Sequence, residues 1–451
     1  MNPGTLTGAK AAEFLRAESE LIIQEARKQK SERNKDVGDP INLQGVPIDM
    51  TVRGQYVWVA ENTTVARKID LESGKSIRVF RGHSAPVSCL TLCDEVPGSK
   101  DGKILITGSW DQHIKLWDAE TANVISSTNA HTDFVKVLLV IPELNILVSG
   151  SSDKTVRIWD LSSRSSSEPL TCLGSISAHT RPVEALDAYV SPSNPSTAVL
   201  FTADTMGAIK VWELEKETGS DGKPSIRPRP AGDDLDYHRT RVNQLVYGDG
   251  HVWTASTDET VQIHPFPVPA QASKTSSGSR SIPPITHSAA FRAVLPLPLH
   301  PLLDASTFPY LIAASGDNIR TYDISSLRIP SFLSEDEKTG GGLSGSRDPG
   351  SAEFIREIEG HWHDVTGLGV WLKKTNLKEG RGKEVWIVSA SVDLTIRRWR
   401  LADLVAPVKS LQEQKAVAPV APPVPEPTNT EVGGGLTEEE ERELAELMDE
   451  D

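Results

Sequence analysis

The residues of this chain with the most chemistry in their spacing are His361, His363 and Asp364. Side chains two apart on an extended segment face the same way, so His361 and His363 could present two imidazoles to a metal ion. Cys89 and Cys93 are four apart and share a face if both lie on one strand. No second ligand pair sits near them, and two small buried residues are the simpler account. The sequence holds no Gly-rich phosphate loop followed by Lys-Ser or Lys-Thr, no Gly-x-Ser-x-Gly elbow, no His-Glu-x-x-His and no paired Cys-x-x-Cys. No catalytic, cofactor-binding or metal-binding residue is therefore assigned, and no enzymatic activity is expected.

His361 belongs instead to a series. His83, His131, His179, His238, His287 and His361 are each followed four residues later by an apolar residue that opens an extended run. Downstream of most of them comes an apolar run, a small-residue turn with an Asp, then a β-branched run closing on an aromatic. Residues 104–118 and 146–160 show this most clearly, and residues 385–400 repeat it. Short runs rich in Val, Ile and Thr, joined by Gly/Ser/Asp turns, read as antiparallel strands. One such meander cannot bury both of its faces, so the units must stack, and stacking them radially leaves only short, protected edges.

These marks resemble the WD40-repeat family, in which a Gly-His pair and a Trp-Asp pair flank each four-stranded blade. Gly82-His83, Gly360-His361, Trp117-Asp118 and Trp159-Asp160 match literally, and Trp212-Glu213, His264-Pro265 and Tyr322-Asp323 are weaker copies. A further eroded copy around Tyr56–Val59 and Arg67–Leu71 brings the count to seven, so the fold class is all-β, a seven-bladed β-propeller. The resemblance covers roughly residues 41 to 402. It implies structural tetrads of His, Ser or Thr, Asp and Trp: His83, Thr107, Asp111 and Trp117; His131, Ser149, Asp153 and Trp159; and His361, Ser389, Asp393 and Trp399. Met206 stands where one blade should have its Asp, and His264 where another should have its Trp, so those blades are expected to be less rigid. With His361 turned inward, His363 stands alone, which removes the metal reading. Ile41 to Gln44 is the candidate fourth strand of the last blade, because ring closure needs a strand from the other terminus.

The domain plan follows. Residues 1–40 hold an amphipathic helix and linker, with Phe14, Leu21 and Ile22 on the apolar face and a stop at Gly38-Asp39-Pro40. Residues 41–405 form the propeller, with polar or Pro/Gly-rich loop insertions near 216–233, 265–284 and 332–351. Residues 406–451 are a Pro/Ala/Gly linker and a disordered acidic tail with a short helix whose Leu444, Leu447 and Met448 share one side.

The net charge of −15 disfavours general nucleic-acid binding. Three cysteines in 451 residues fit a reducing compartment, and no leader or apolar span is seen, so a soluble cytoplasmic or nuclear protein is expected. Without chemistry, function must come from surface recognition of other proteins, with no cofactor, small-molecule substrate or membrane insertion. The residues just after each His and just before each turn Asp line a propeller's mouth; here they include Trp110, Phe134, Arg181, Arg241, Trp362 and His363. Aromatics and arginines dominate interface energetics, although scattered ones are also ordinary surface residues. The leading expectation is a scaffold or adaptor subunit. The alternatives are a substrate receptor of a Cullin-type ubiquitin ligase, weakened by the missing Trp-Asp-x-Arg ending and F-box, and an accessory subunit of an RNA-modifying or ribosome-assembly complex.

Overall fold

The computed structural model describes residues 8–94, 103–218, 224–266, 282–327, 329, 350–377 and 380–406; the side chains of 8–19, 218, 375–377 and 380–382 fall outside that description. Within it, seven four-stranded antiparallel sheets follow one another along the chain. Their innermost strands are Pro47–Arg53, Val87–Cys93, Val135–Ile141, Val183–Ser191, Val242–Gly248, Phe291–Pro296 and Val365–Leu377. Each packs against the next, and the last packs against the first, so the sheets close into a seven-bladed propeller. Blades are numbered here 1 to 7 in that order.

Alternation explains the packing. One face of each blade meets the opposite face of its neighbour, and seven apolar clusters fill the seven seams. Between blades 3 and 4, for example, Val148, Val156 and Ile158 meet Val183, Leu200 and Leu214. Each such aliphatic side chain contributes about 1.5–3 kcal/mol by leaving water, so the seams carry most of the stability.

Blade 7 takes its outermost strand from the N-terminal side. Ile41–Asn42 pairs antiparallel with Thr395–Arg400, Ile41 opposite Ile396 and Asn42 opposite Thr395. Two buried guanidinium groups lock this closure. Arg397 donates to the carbonyls of Asn34 (2.7 Å) and Val37, and Arg398 donates to the carbonyls of Asp39 (3.2 Å) and Leu71. Gly38 has a φ of +72°, and a Cβ there would lie 2.4 Å from Trp399, so both its backbone and its bareness are required.

The N-terminal helix α1 (Gly8–Arg33) precedes this clamp. Its last turn carries Lys30 and Arg33, which pair with Asp317 (2.6 Å) and Glu359 (2.7 Å) of blade 6. A short helix α2 (Leu401–Val405) follows blade 7 and buries Leu401 and Leu404.

One expected loop is corrected. Much of 216–233 is strand: Ile209–Thr218 runs on past its neighbours and pairs with Pro224–Pro230, the outer strand of blade 4. An outermost strand bonds on one side only, so it tolerates the prolines that made the segment read as a loop. Residues 267–281 and 332–349, and all of the acidic tail with Leu444, Leu447 and Met448, lie outside the described residues, as does the side chain of Phe14.

Candidate interaction face

The proposed tetrads are hydrogen-bonded chains. In blade 2, Trp117 Nε1–H donates to Thr107 Oγ1 (2.8 Å), the threonine hydroxyl meets His83 Nε2 (2.8 Å), and His83 Nδ1 meets Asp111 Oδ2 (2.8 Å). Blade 3 repeats this with Trp159, Ser149, His131 and Asp153, and blade 7 with Trp399, Ser389, His361 and Asp393. With the indole able only to donate, the chain runs from Trp to Asp. Burial opposes charge on Asp111 and Asp153, but the imidazole and backbone donors prevail and hold both carboxyls well below the usual range. Burial pushes the His361 imidazole down, so it stays neutral near pH 7.

The structure also closes a fourth chain that spacing had missed. In blade 4, Trp212 donates to Thr202 (3.1 Å), which meets His179 (2.7 Å), and His179 reaches Asp204 (3.1 Å). The carboxylate comes from the end of the blade's second strand, Asn194–Asp204, two residues before the turn position, which leaves Met206 exposed. Met206 therefore does not leave this blade without its carboxylate, which was the ground for expecting it to be looser. Blade 5 keeps His238, Thr254 and Asp258 but has His264 in place of the indole; that ring stacks on Tyr237 with centroids 3.4 Å apart. In blade 6, the His287 ring meets Ser315 Oγ (2.7 Å) and lies 3.9 Å from the Glu357 carboxylate, and Asp317, at the turn position, pairs with Lys30 of α1.

These chains hold the turns that form one end of the central channel. In all seven blades an equivalent backbone bond ties the incoming connection to that turn: Asn62 N–H to Val46 O, Trp110 to Pro86, Ser152 to Phe134, Thr205 to Pro182, Thr257 to Arg241, Gly316 to Ala290 and Val392 to Asp364. Trp110 and Phe134 thereby come together from adjacent blades, stacked at 4.9 Å and 16°, each somewhat over a third exposed. Arg181 is exposed on the same rim, and Trp362 and His363 are half-buried with their rings edge to face. Of these predicted residues, Trp110 and Arg241 line the channel itself, a cavity of about 410 Å³. Leu21 and Ile22 stand apart on α1, each 65% exposed.

Sequence reasoning missed the groups between them. Every innermost strand has a β-bulge at its second residue, after Pro47, Val87, Val135, Val183, Val242, Phe291 and Val365. A bulge turns its extra residue out of the pleat. Seven side chains, Ile48, Ser88, Lys136, Glu184, Asn243, Arg292 and Thr366, thus ring the channel. Six link a blade to its neighbour: Ser88 Oγ donates to Val135 O, Lys136 pairs with Glu184 (3.4 Å), Glu184 with Arg241 (2.8 Å), Asn243 donates to Phe291 O (2.7 Å), Arg292 pairs with Asp364 (3.1 Å), and Thr366 donates to Pro47 O (2.9 Å). Ile48 cannot, and there the next residue substitutes: Asp49 accepts the Leu90 N–H across the seam (2.9 Å). Burial pushes the Asp49 carboxyl up to about 6, against the lowering effect of its two backbone donors. Asp187 plays the same part between blades 4 and 5, accepting from Tyr247 N–H (2.6 Å), and is likewise raised to about 6.

No group of three or more His, Cys, Asp or Glu among the described residues could hold a metal ion, and no described helix is long and apolar enough to cross a membrane. Cys89 and Cys93 are buried, and burial pushes both thiols up, so neither is a ready nucleophile.

Comparison with known proteins gives a consistent result. The family described as "WD domain, G-beta repeat" matches residues 74–118 and 122–160. An uncharacterized WD repeat-containing protein of Schizosaccharomyces pombe is 29% identical over 262 residues, covering 55% of this chain and 65% of its own length. The "WD40 repeat protein poxJ" of Penicillium oxalicum is 45% identical over 53 residues, 12% of this chain and 15% of its own. The "COMPASS component SWD3" of Saccharomyces cerevisiae is 32% identical over 82 residues, 18% of this chain and 24% of its own. In each case the match spans less than two thirds of the relative's length.

Proposed function

The chain belongs to the WD40-repeat family, and from that premise we propose that it is a non-catalytic scaffold or adaptor subunit that grips a protein partner at the channel mouth. The observation that carries this reading is the Trp110–Phe134 stack, two aromatics each somewhat over a third exposed and packed on one another beside a polar cavity. A pre-ordered aromatic pair gives up little entropy on binding and offers a large apolar area, which is what interface anchors need. The exposed Leu21 and Ile22 of α1 supply a second surface. Subunit behaviour is in keeping with a relative named as a component of COMPASS. A cytoplasmic or nuclear setting is part of the same proposal.

The test is affinity capture with mass spectrometry of the full chain beside Trp110→Ala and a version lacking residues 1–36. Specific proteins lost with Trp110→Ala assign them to the mouth, and those lost with the truncation assign them to α1. A capture profile unchanged by Trp110→Ala removes the mouth from the proposal.

A further inference from the structure

Blade 7 runs on beyond the ring. Its first two strands, Val365–Leu377 and Gly380–Ser391, have 13 and 12 residues, whereas the other innermost strands have six to nine. Its third strand, Thr395–Arg400, reaches no further than Trp386. Residues 380–385 are therefore bonded to residues 372–377 alone and form a two-stranded ribbon. The connection between a blade's first and second strands lies at the other end from the turn between its second and third, so the ribbon leaves the face away from the mouth.

Residues 373–384 hold Lys373, Lys374, Lys378, Arg381 and Lys383 against Glu379 and Glu384, an excess of three positive charges in a chain whose net charge is −15. The two faces of the ribbon differ. On one, Lys373 lies opposite Glu384 and over the rings of Trp371 and Trp386, and Glu384 is taken by Arg400 (2.6 Å) and by Trp386 Nε1–H (2.8 Å). On the other, Lys374 lies directly opposite Lys383, both exposed and neither with an ion pair or hydrogen bond among the described residues. The adjoining acids do not serve them. Asp304, on the blade 6 connection, accepts from the Ser306 and Thr307 hydroxyls (2.7 and 2.5 Å), Asp403 of α2 faces Arg400, and the blade 1 connection at Gly54-Gln55 has no acid. Like charges directly opposite across a strand pair repel, so an anion arriving here relieves a repulsion as well as gaining an attraction.

We infer that this ribbon docks an extended acidic segment of a second protein, its carboxylates set against Lys374 and Lys383. This goes beyond the mouth and gives the propeller a contact at each end. The outer side of residues 380–385 has no strand partner among the described residues, so an extended segment can lie along it and use its backbone groups, while the lysines choose the sign of the side chains. Screening limits what such a segment feels to the nearest charges, here cationic. A long polyanion instead meets the negative field of the whole chain, which favours a short acidic segment over a nucleic-acid backbone.

The experiment is selection from a displayed library of random twelve-residue peptides on the immobilised full chain, beside Lys374→Gln, Lys383→Gln, the two combined, and Trp110→Ala. Enriched peptides are titrated by fluorescence anisotropy in acetylated, amidated form, alongside a single-stranded RNA of twelve uridines. We expect peptides with two or more Asp or Glu residues whose affinity falls by about tenfold in the double lysine variant, and as much when their acids are replaced by amides, but is unchanged by Trp110→Ala. Melting curves check folding; both lysines are exposed, so these variants should melt with wild type. If no peptide depends on the two lysines, the inference is overturned, and peptides that depend on Trp110 alone would overturn it while leaving the mouth as a site. RNA bound through the lysines where acidic peptides are not would also overturn it. So would a double variant that keeps the peptides but self-associates in sedimentation, because the lysines would then only guard an open edge.

Discussion

Blades 2, 3, 4 and 7 have a closed Trp–Ser/Thr–His–Asp chain, whereas blades 1, 5 and 6 do not, yet all seven sheets have four strands and all seven seams are packed. Blade 1 has the apolar Val59 and Ile69 at the inner positions, both buried. Blade 5 stacks His264 on Tyr237, and blade 6 gives its turn carboxylate, Asp317, to Lys30 of α1. The polar chain is thus not what makes a blade; the apolar seams do that. It fixes the turn at the channel mouth, and where it is absent the same groups serve other attachments. The aromatic pair Trp110–Phe134 stands on blades 2 and 3, both with closed chains, and α1 is anchored to blade 6, where the chain is open.

Perturbing each kind of blade should expose this difference. Trp159→Ala in blade 3 removes a buried indole from the seam with blade 2 and the hydrogen bond it donates to Ser149, which keeps its bond to His131. It should destabilise by about 3–5 kcal/mol in chemical denaturation; a loss under 1 kcal/mol would mean the closed chain carries no special weight. Removing residues 41–45 takes out the closing strand and the buried Ile41, and should lower the melting temperature by several degrees, whereas an unchanged transition would show that blade 7 stands without it.

Asp49 sharpens the comparison at a seam without a bulge-residue link. Its folded-state pKa, about 6, lies above the roughly 3.9 of an unfolded aspartate. The folded state therefore binds the proton more tightly, and this group adds stability as pH falls from about 6 towards 4 and opposes folding when ionised above it. Denaturation of wild type and Asp49→Asn at pH 8 and pH 5 should show the difference moving in the wild type's favour at pH 5, by roughly 1.4 kcal/mol. A difference independent of pH would contradict the buried, raised carboxyl. The smallest effect is expected in blade 6, where the Tyr322 hydroxyl is buried with no hydrogen-bond partner among the described residues. Tyr322→Phe should leave stability within about 0.5 kcal/mol of wild type or raise it, and a clear loss would reveal a polar chain in this blade after all.

The ring, its seven units and its closing strand were legible because they rest on residue types at repeated offsets, Thr107 to Asp111 to Trp117 and again Ser149 to Asp153 to Trp159, and on the short apolar run at Ile41 ahead of the first repeat. Asp204 was not, because a carboxylate two residues early reaches the same imidazole nitrogen from the strand's end instead of the turn. The bulge ring was invisible for a different reason. Lys136, Glu184 and Arg292 read as ordinary polar positions of alternating strands, and a bulge changes where a side chain points without changing composition. The edge strand Pro224–Pro230 was read as loop from its prolines, a local signal that one-sided pairing overrides.

The central claim is that a rigid aromatic pair at the mouth holds a protein partner and that the rest of the ring only supports it. It is tested most directly by measuring, on the same preparations, the affinity of the captured partner and the melting temperature for wild type and for Trp110→Ala combined with Phe134→Ala. The predicted result is at least a tenfold weaker partner affinity with a melting temperature within about 2 °C of wild type. Undiminished affinity in a folded double variant would contradict the claim.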